Sequence, residues 1–140
     1  MATTDHPSPT TDRNDQTRHP LYSGLIGLAT LGVLLQGLWA GLFVQEGGEY
    51  QGRWVEVHAL DGEVTIALAA LATVAAFVFL RRARKDLLVG SAVFTVLLLL
   101  AAYIGGEIGS NARLTAVHFP LALALMGLAV WLSLRSTRRG

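Results

Sequence analysis

Two histidines stand inside apolar stretches of the chain, and the residues around them repeat. One run reads Gly47-Gly48-Glu49, three residues, then Arg53-Trp54-Val55-Glu56-Val57-His58. The other reads Gly105-Gly106-Glu107, five residues, then Arg113-Leu114-Thr115-Ala116-Val117-His118. Both fit Gly-Gly-Glu, a short spacer and Arg-x-x-x-Val-His, identities in one order that point to a duplicated helical hairpin. Each histidine lies five residues beyond its arginine, about 7–8 Å deeper along a helix. Two equivalent hairpins around an axis along the membrane normal would set the imidazoles opposite each other at one depth.

Ionisable side chains inside a membrane helix are costly, so they face the bundle interior and often mark function. Two neutral imidazoles opposed at one depth are suited to axial ligation of a haem b, one nitrogen on each side of the iron. His58 and His118 are therefore the expected haem-iron ligands. Four residues on, on the same helical face, come Gly62 and Ala122, small enough to leave room for a porphyrin plane. Arg53 and Arg113, above the histidines, are the expected cationic partners of haem propionates. A lone histidine in the outer third of a membrane helix more often makes an interhelical hydrogen bond, and only the pairing raises ligation above that reading. A divalent metal is disfavoured, because only two imidazoles are matched.

The other polar residues have structural readings. Asp61 shares the face of His58 roughly, where it can bond an imidazole N–H of a neighbouring helix or lie on a proton path. Glu63 points away, and Glu56 sits where a helix N-terminus favours acid. Gln36, among Gly32, Gly37 and Gly41, reads as a packing residue, with a cofactor or quinone pocket as the alternative. Pro120 either starts or kinks the last helix. Glu107, His6 and His19 are expected to be solvated.

Four apolar stretches must position these residues: Leu21 to Val44, Trp54 to Leu80, Leu87 to Ile104 and Leu114 to Leu134. Roughly 20 residues of helix cross a hydrocarbon core of about 30 Å. The runs are continuous rather than alternating, which excludes spanning strands, and the short links between them make an up-down bundle. The expected fold is thus an all-α bundle of four transmembrane helices over 21–135. A disordered polar tail (1–20) precedes it and a basic tail (136–140) follows; the first is too long and too little basic at its start for a signal peptide. Of eleven basic residues only Arg53 and Arg113 lie at the histidine end. Arg13, Arg18, Arg81, Arg82, Arg84, Lys85, Arg135, Arg138 and Arg139 all fall at the other, which the positive-inside rule places in the cytoplasm with both termini. A multi-pass protein of the cell membrane is expected, with aromatic belts from Tyr22 and Trp131 inside and Tyr50, Trp54 and Tyr103 outside.

Only 15% of residues are charged and 52% are apolar, too little polar surface for a soluble domain. With no cysteine there is no disulfide, thiolate site or thiol nucleophile. No nucleotide-binding glycine loop, nucleophile elbow or zinc-protease motif occurs, and no nucleic-acid partner is expected.

On the His58 and His118 repeats and the His118-Phe119-Pro120 opening of the last helix, the chain resembles one four-helix half of the haem A synthase family over roughly Leu34 to Leu134. It is also similar to a group of small four-helix membrane proteins with the same histidine pair, and other four-helix cytochromes b share the arrangement. Haem A synthases join two such bundles and oxidise a haem methyl group with a glutamate near the first histidine. Here Glu56 lies two residues before His58 instead of three, the family's loop cysteines are absent, and there is one bundle. The resemblance thus implies haem binding more than oxidation chemistry. The expected function is electron transfer or haem handling, with a membrane redox partner or a homo-oligomer as company. The alternatives are a cofactor-free accessory subunit of a membrane complex and a haem-modifying enzyme assisted by Glu56 or Asp61.

Overall fold

The computed structural model describes residues 19–45 and 52–138. The Gly47-Gly48-Glu49 segment, Tyr50, His6, Arg13, Arg18, Arg139 and nearly all of the expected N-terminal tail lie outside them. The fold is an all-α bundle of four long helices. α1 runs Pro20–Gln45, α2 Arg53–Ala75 with a π-helical continuation Ala76–Leu80, α3 Lys85–Glu107, and α4 Thr115–Thr137 after a 3₁₀ turn Ala112–Leu114. With that continuation and that turn counted in, the four spans measure 26, 28, 23 and 26 residues. Each is long enough to cross a bilayer.

The third span is longer than its apolar run, because Gly105, Gly106 and Glu107 stay helical before a short turn. That turn is closed by Ser110 Oγ, which donates to the Glu107 carbonyl at 2.9 Å. Asn111 then accepts from the Arg113 N–H at 3.2 Å and starts the last helix. Pro120 neither starts nor ends α4; it lies inside the helix, which continues through it. Lacking an N–H, it leaves the Ala116 carbonyl without its usual helical donor.

The surface confirms what surrounds these helices. Only 17–33% of each apolar window is buried within the bundle, and large side chains such as Leu34, Val64, Val96 and Leu123 are exposed. In water so much apolar area would drive aggregation; in hydrocarbon it is the proper exterior. The chain is a multi-pass membrane protein.

Each helix packs on its two neighbours in the order α1, α2, α3, α4, with α1 closing against α4, so that α2 and α4 stand diagonally. The α1–α2 hairpin is the closer of the two hairpins. A Cβ on Gly32 would collide with Thr65 Oγ1, so glycine there is what lets α2 approach α1.

Hydrogen bonds between spans set the register. Tyr22 Oη and Ser91 Oγ, both fully buried, meet at 2.9 Å across the α1–α3 diagonal. Thr30 bonds Ser133 Oγ at 2.8 Å and the Ala129 carbonyl at 3.2 Å, tying α1 to α4. Thr73 and Thr95 meet at 3.0 Å between α2 and α3. At the basic end, Arg84 donates two hydrogen bonds to the Asp86 carboxylate and a third to the Arg135 carbonyl, all at 3.1 Å. The Arg135 guanidinium returns to Asp86 at 3.0 Å.

The core sits toward this basic end. The buried residues of α1 stop at Val33; those of α2 begin at Thr65 and those of α4 at Leu125.

Gly32→Ala is expected to destabilise the bundle by about 1–3 kcal/mol through overpacking against Thr65. Gly24→Ala, where an added Cβ meets nothing within 4 Å, should be neutral or slightly stabilising. Helicity followed through an SDS titration in mixed micelles checks the pair; equal losses would contradict the close approach at Gly32.

Candidate functional site

At the end away from the basic clamp, one amide organises the first histidine. Gln36, in the middle of α1, donates from Nε2 to the His58 carbonyl at 2.8 Å and to Asp61 Oδ2 at 2.8 Å. In return His58 Nδ1 lies 3.2 Å from the Gln36 carbonyl. A carbonyl can only accept, so Nδ1 must carry the proton, and Nε2 is left as a lone-pair donor. This is the orientation that metal-binding histidines usually have, with one ring nitrogen held by a carbonyl and the other free.

Gln36 lies in an otherwise apolar run, and its side chain satisfies the Asp61 carboxylate as well as the backbone. Asp61 therefore does not bond an imidazole of a neighbouring helix; it is held by α1. Gly62 belongs to the same contact, because a Cβ there would lie 3.7 Å from Gln36 Nε2. One turn further out, Trp39 and Trp54 stack at 5.7 Å with planes 8° apart. The Arg53 guanidinium covers the Trp54 ring at 4.5 Å. Gln36 and Trp39 thus share a face of α1, as His58 and Trp54 share one of α2, at i to i+3 and i to i+4 spacing.

His118 is seated differently. Its ring lies on Gly105 of α3, where an added Cβ would be 3.1 Å from Cε1. The ring approaches the Ala101 carbonyl without reaching hydrogen-bond geometry, and Nδ1 is buried with no partner. The second Gly-Gly-Glu thus has a packing reason: its first glycine makes room for the imidazole. Ala122, one turn along α4, is part-buried, and Arg113 is exposed in the 3₁₀ turn.

The two rings stand at similar heights. Tyr22 and Ser91 fix the register of the parallel helices α1 and α3. Fourteen residues further along each helix, about 21 Å at the helical rise, come Gln36 and Gly105, the residues against which His58 and His118 rest. Both rings are part-buried, and they lie beyond the tightly packed core. Among the described residues, no fully buried side chain of α1, α2 or α4 fills the space at their level.

No cluster of three or more histidine, cysteine, aspartate or glutamate residues that could hold a free metal ion occurs among the described residues. Glu56 and Glu63 are exposed. His19, expected in solvent, instead stacks on Phe79 of the π-helical turn, with centroids 3.9 Å apart and planes 8° apart. Its Nδ1 is buried. The sequence reading missed the Gln36 lock, the tryptophan stack and the Gly105 seat. A lone glutamine in a span one turn from a tryptophan was the available signal for the first two.

No family model, curated protein or solved structure matches the chain. What defines it is a four-helix membrane bundle with a histidine on each of two diagonal helices.

Gln36→Leu leaves the Asp61 carboxylate and the His58 carbonyl without their donor and should cost about 1–2 kcal/mol, the upper range for polar contacts in membranes. Glu63→Gln, at an exposed position, should stay within about 0.5 kcal/mol of the parent. The same SDS titration measures both, and a Gln36→Leu protein as stable as the parent would remove the energetic role given to this amide.

Proposed function

We propose that the protein binds haem b between α2 and α4, with His58 and His118 as the axial ligands, and serves electron transfer or haem handling in the cell membrane. The observation that carries this reading is the tautomer imposed on His58. A hydrogen bond from its Nδ1 to the Gln36 carbonyl leaves Nε2 with the lone pair that ligation requires. The orphaned Nδ1 of His118 is consistent with a site built to take a further group. Haem bound there would supply a one-electron iron couple.

The chain's own residues then divide the work. His58 is held by α1 before any ligand arrives, which removes the cost of orienting it. His118 rests on Gly105 with fewer bonds, so it can adjust. Gly62 and Ala122 keep the neighbouring turns small. Arg53, held over Trp54, and Arg113 offer cations at the outer surface for carboxylates of the bound group. The basic residues of the Arg81–Lys85 link and of α4 assign that end to the cytoplasm, with both termini.

Expression with ample haem supply, purification in mild detergent and a visible spectrum test the reading. The expected outcome is a sharp low-spin Soret band with resolved α and β bands on reduction, lost in His58→Ala and in His118→Ala, each shown to be folded by circular dichroism. A folded, colourless parent would refute ligation and favour a cofactor-free accessory subunit.

A C-terminal green fluorescent protein fusion should fluoresce, and a C-terminal alkaline phosphatase fusion should be inactive. The reverse pair would invert the topology.

A further inference from the structure

The opposite end of the bundle carries a second feature, unrelated to the histidines. An open groove of about 530 Å³ runs between α3 and α4 on the outer face of the bundle. Asp86, Val89, Gly90 and Val93 line one side, and Gly127, Leu128 and Trp131 the other. Glycine stands at two positions of its lining. A Cβ on Gly90 would press on Leu132 and Trp131 at 2.9 and 3.1 Å, whereas one on Gly127 would meet nothing within 4 Å. The walls are apolar, and Val89 and Val93 remain well exposed to the surroundings.

The groove is charged only at its basic end. Asp86 closes it there and is already claimed by Arg84 and Arg135. Arg135 spends its Nε on that carboxylate and keeps about half of its side chain exposed. Arg138 follows three residues later, just past the end of α4, and Lys85 precedes Asp86 on α3; both are exposed. Gly127, Trp131 and Arg135 therefore descend one line of α4 from apolar floor to interfacial aromatic to cation, and Arg138 follows just past the helix end. That order matches the order of an acyl chain, a glycerol backbone and a phosphate.

We propose that this groove is a binding site for an anionic phospholipid of the leaflet at the basic end. One acyl chain would lie over Gly127, between Trp131 and the exposed Val89 and Val93, and the phosphate would lie against Arg135, Arg138 and Lys85. The charge balance favours an anionic headgroup over a zwitterionic one: Arg84, Lys85, Arg135 and Arg138 stand at this end against one carboxylate, Asp86, which pairs with Arg84 and Arg135. A transmembrane helix of a second copy would fill the apolar part of the groove but would leave these cations without a counter-charge. The site is independent of haem binding.

Fluorescence quenching by brominated lipid tests it, because Trp131 lines the groove. In the Trp39→Phe/Trp54→Phe protein it is the only tryptophan left of three. The protein is placed in dioleoylphosphatidylcholine bilayers containing a fixed fraction of dibrominated phosphatidylglycerol or of dibrominated phosphatidylcholine. Phosphatidylglycerol should associate about fivefold or more tightly, and Arg135→Gln should lower that preference by about fivefold, the contribution of one basic residue near a membrane surface. Gly127→Leu, which fills the groove, should reduce quenching by both lipids. Equal association of the two lipids would overturn the proposal. So would the absence of quenching by either, which would mean that a second copy or another helix covers Trp131. Should the double tryptophan variant not fold, native mass spectrometry of the unmodified protein decides the matter. Phosphatidylglycerol retained over phosphatidylcholine in the parent, and not in Arg135→Gln, supports the site; no difference in the parent sinks it.

Discussion

Hydrocarbon offers no hydrogen bonds, so a polar side chain placed in a span is stabilised by a partner on another span or on its own backbone. In this bundle such pairing, more than apolar packing, fixes which helices meet and at what height. Lipid tails are as apolar as leucine, and burying a leucine between helices gains little over leaving it in lipid. The bonds from Tyr22 to Ser91, Thr30 to Ser133, Thr73 to Thr95 and Gln36 to Asp61 are each long-range, and between them they tie α1 to all three other helices and α2 to α3. Each is individually worth only about 0.6 kcal/mol on average in membrane proteins. Their effect is directional: a helix slipped by one turn would leave several of these groups unpaired at once.

The bundle is consequently unequal along its length. Toward the basic end, alanines at 69, 72, 75, 76 and 129 and the fully buried Phe94 and Leu132 make a dense core, closed by the Asp86 clamp. Toward the other end the helices carry polar residues that bind in pairs, and their inner faces are only part-covered. The tightly packed region holds the helices, and the two imidazoles lie beyond it.

Much of this was legible in the sequence. Continuous apolar runs reported the spans, short links the neighbour order, and the shared Arg-x-x-x-Val-His pattern the diagonal placement of α2 and α4. What one-dimensional pattern could not report was contact across helices. The Gly105 seat is invisible because a glycine pair near a helix end reads as a loop. In the structure Gly105 is helical, and its missing side chain is occupied by the ring of His118. Gln36 read as packing because its partners lie 22 and 25 residues away. Gly62 read as space for a ligand, yet the nearest atoms to it belong to that same glutamine. His19 read as solvated because nothing local reveals the Phe79 ring that stacks on it.

The repeat is better preserved in sequence than in structure, and the difference falls on the histidines. In the first hairpin a glycine at position 32 brings the helices together, and a glutamine at position 36 then locks the ring of His58 through a carbonyl. In the second, α3 offers His118 a glycine surface and a nearby carbonyl that it does not reach. The first ring is held by a hydrogen bond to α1, the second by packing on α3. The two hairpins thus hold their imidazoles at similar depth by different means. In the haem-binding proposal His58, held through the Gln36 carbonyl, would set where the group docks, and His118, seated on the glycine surface of Gly105, would complete the site.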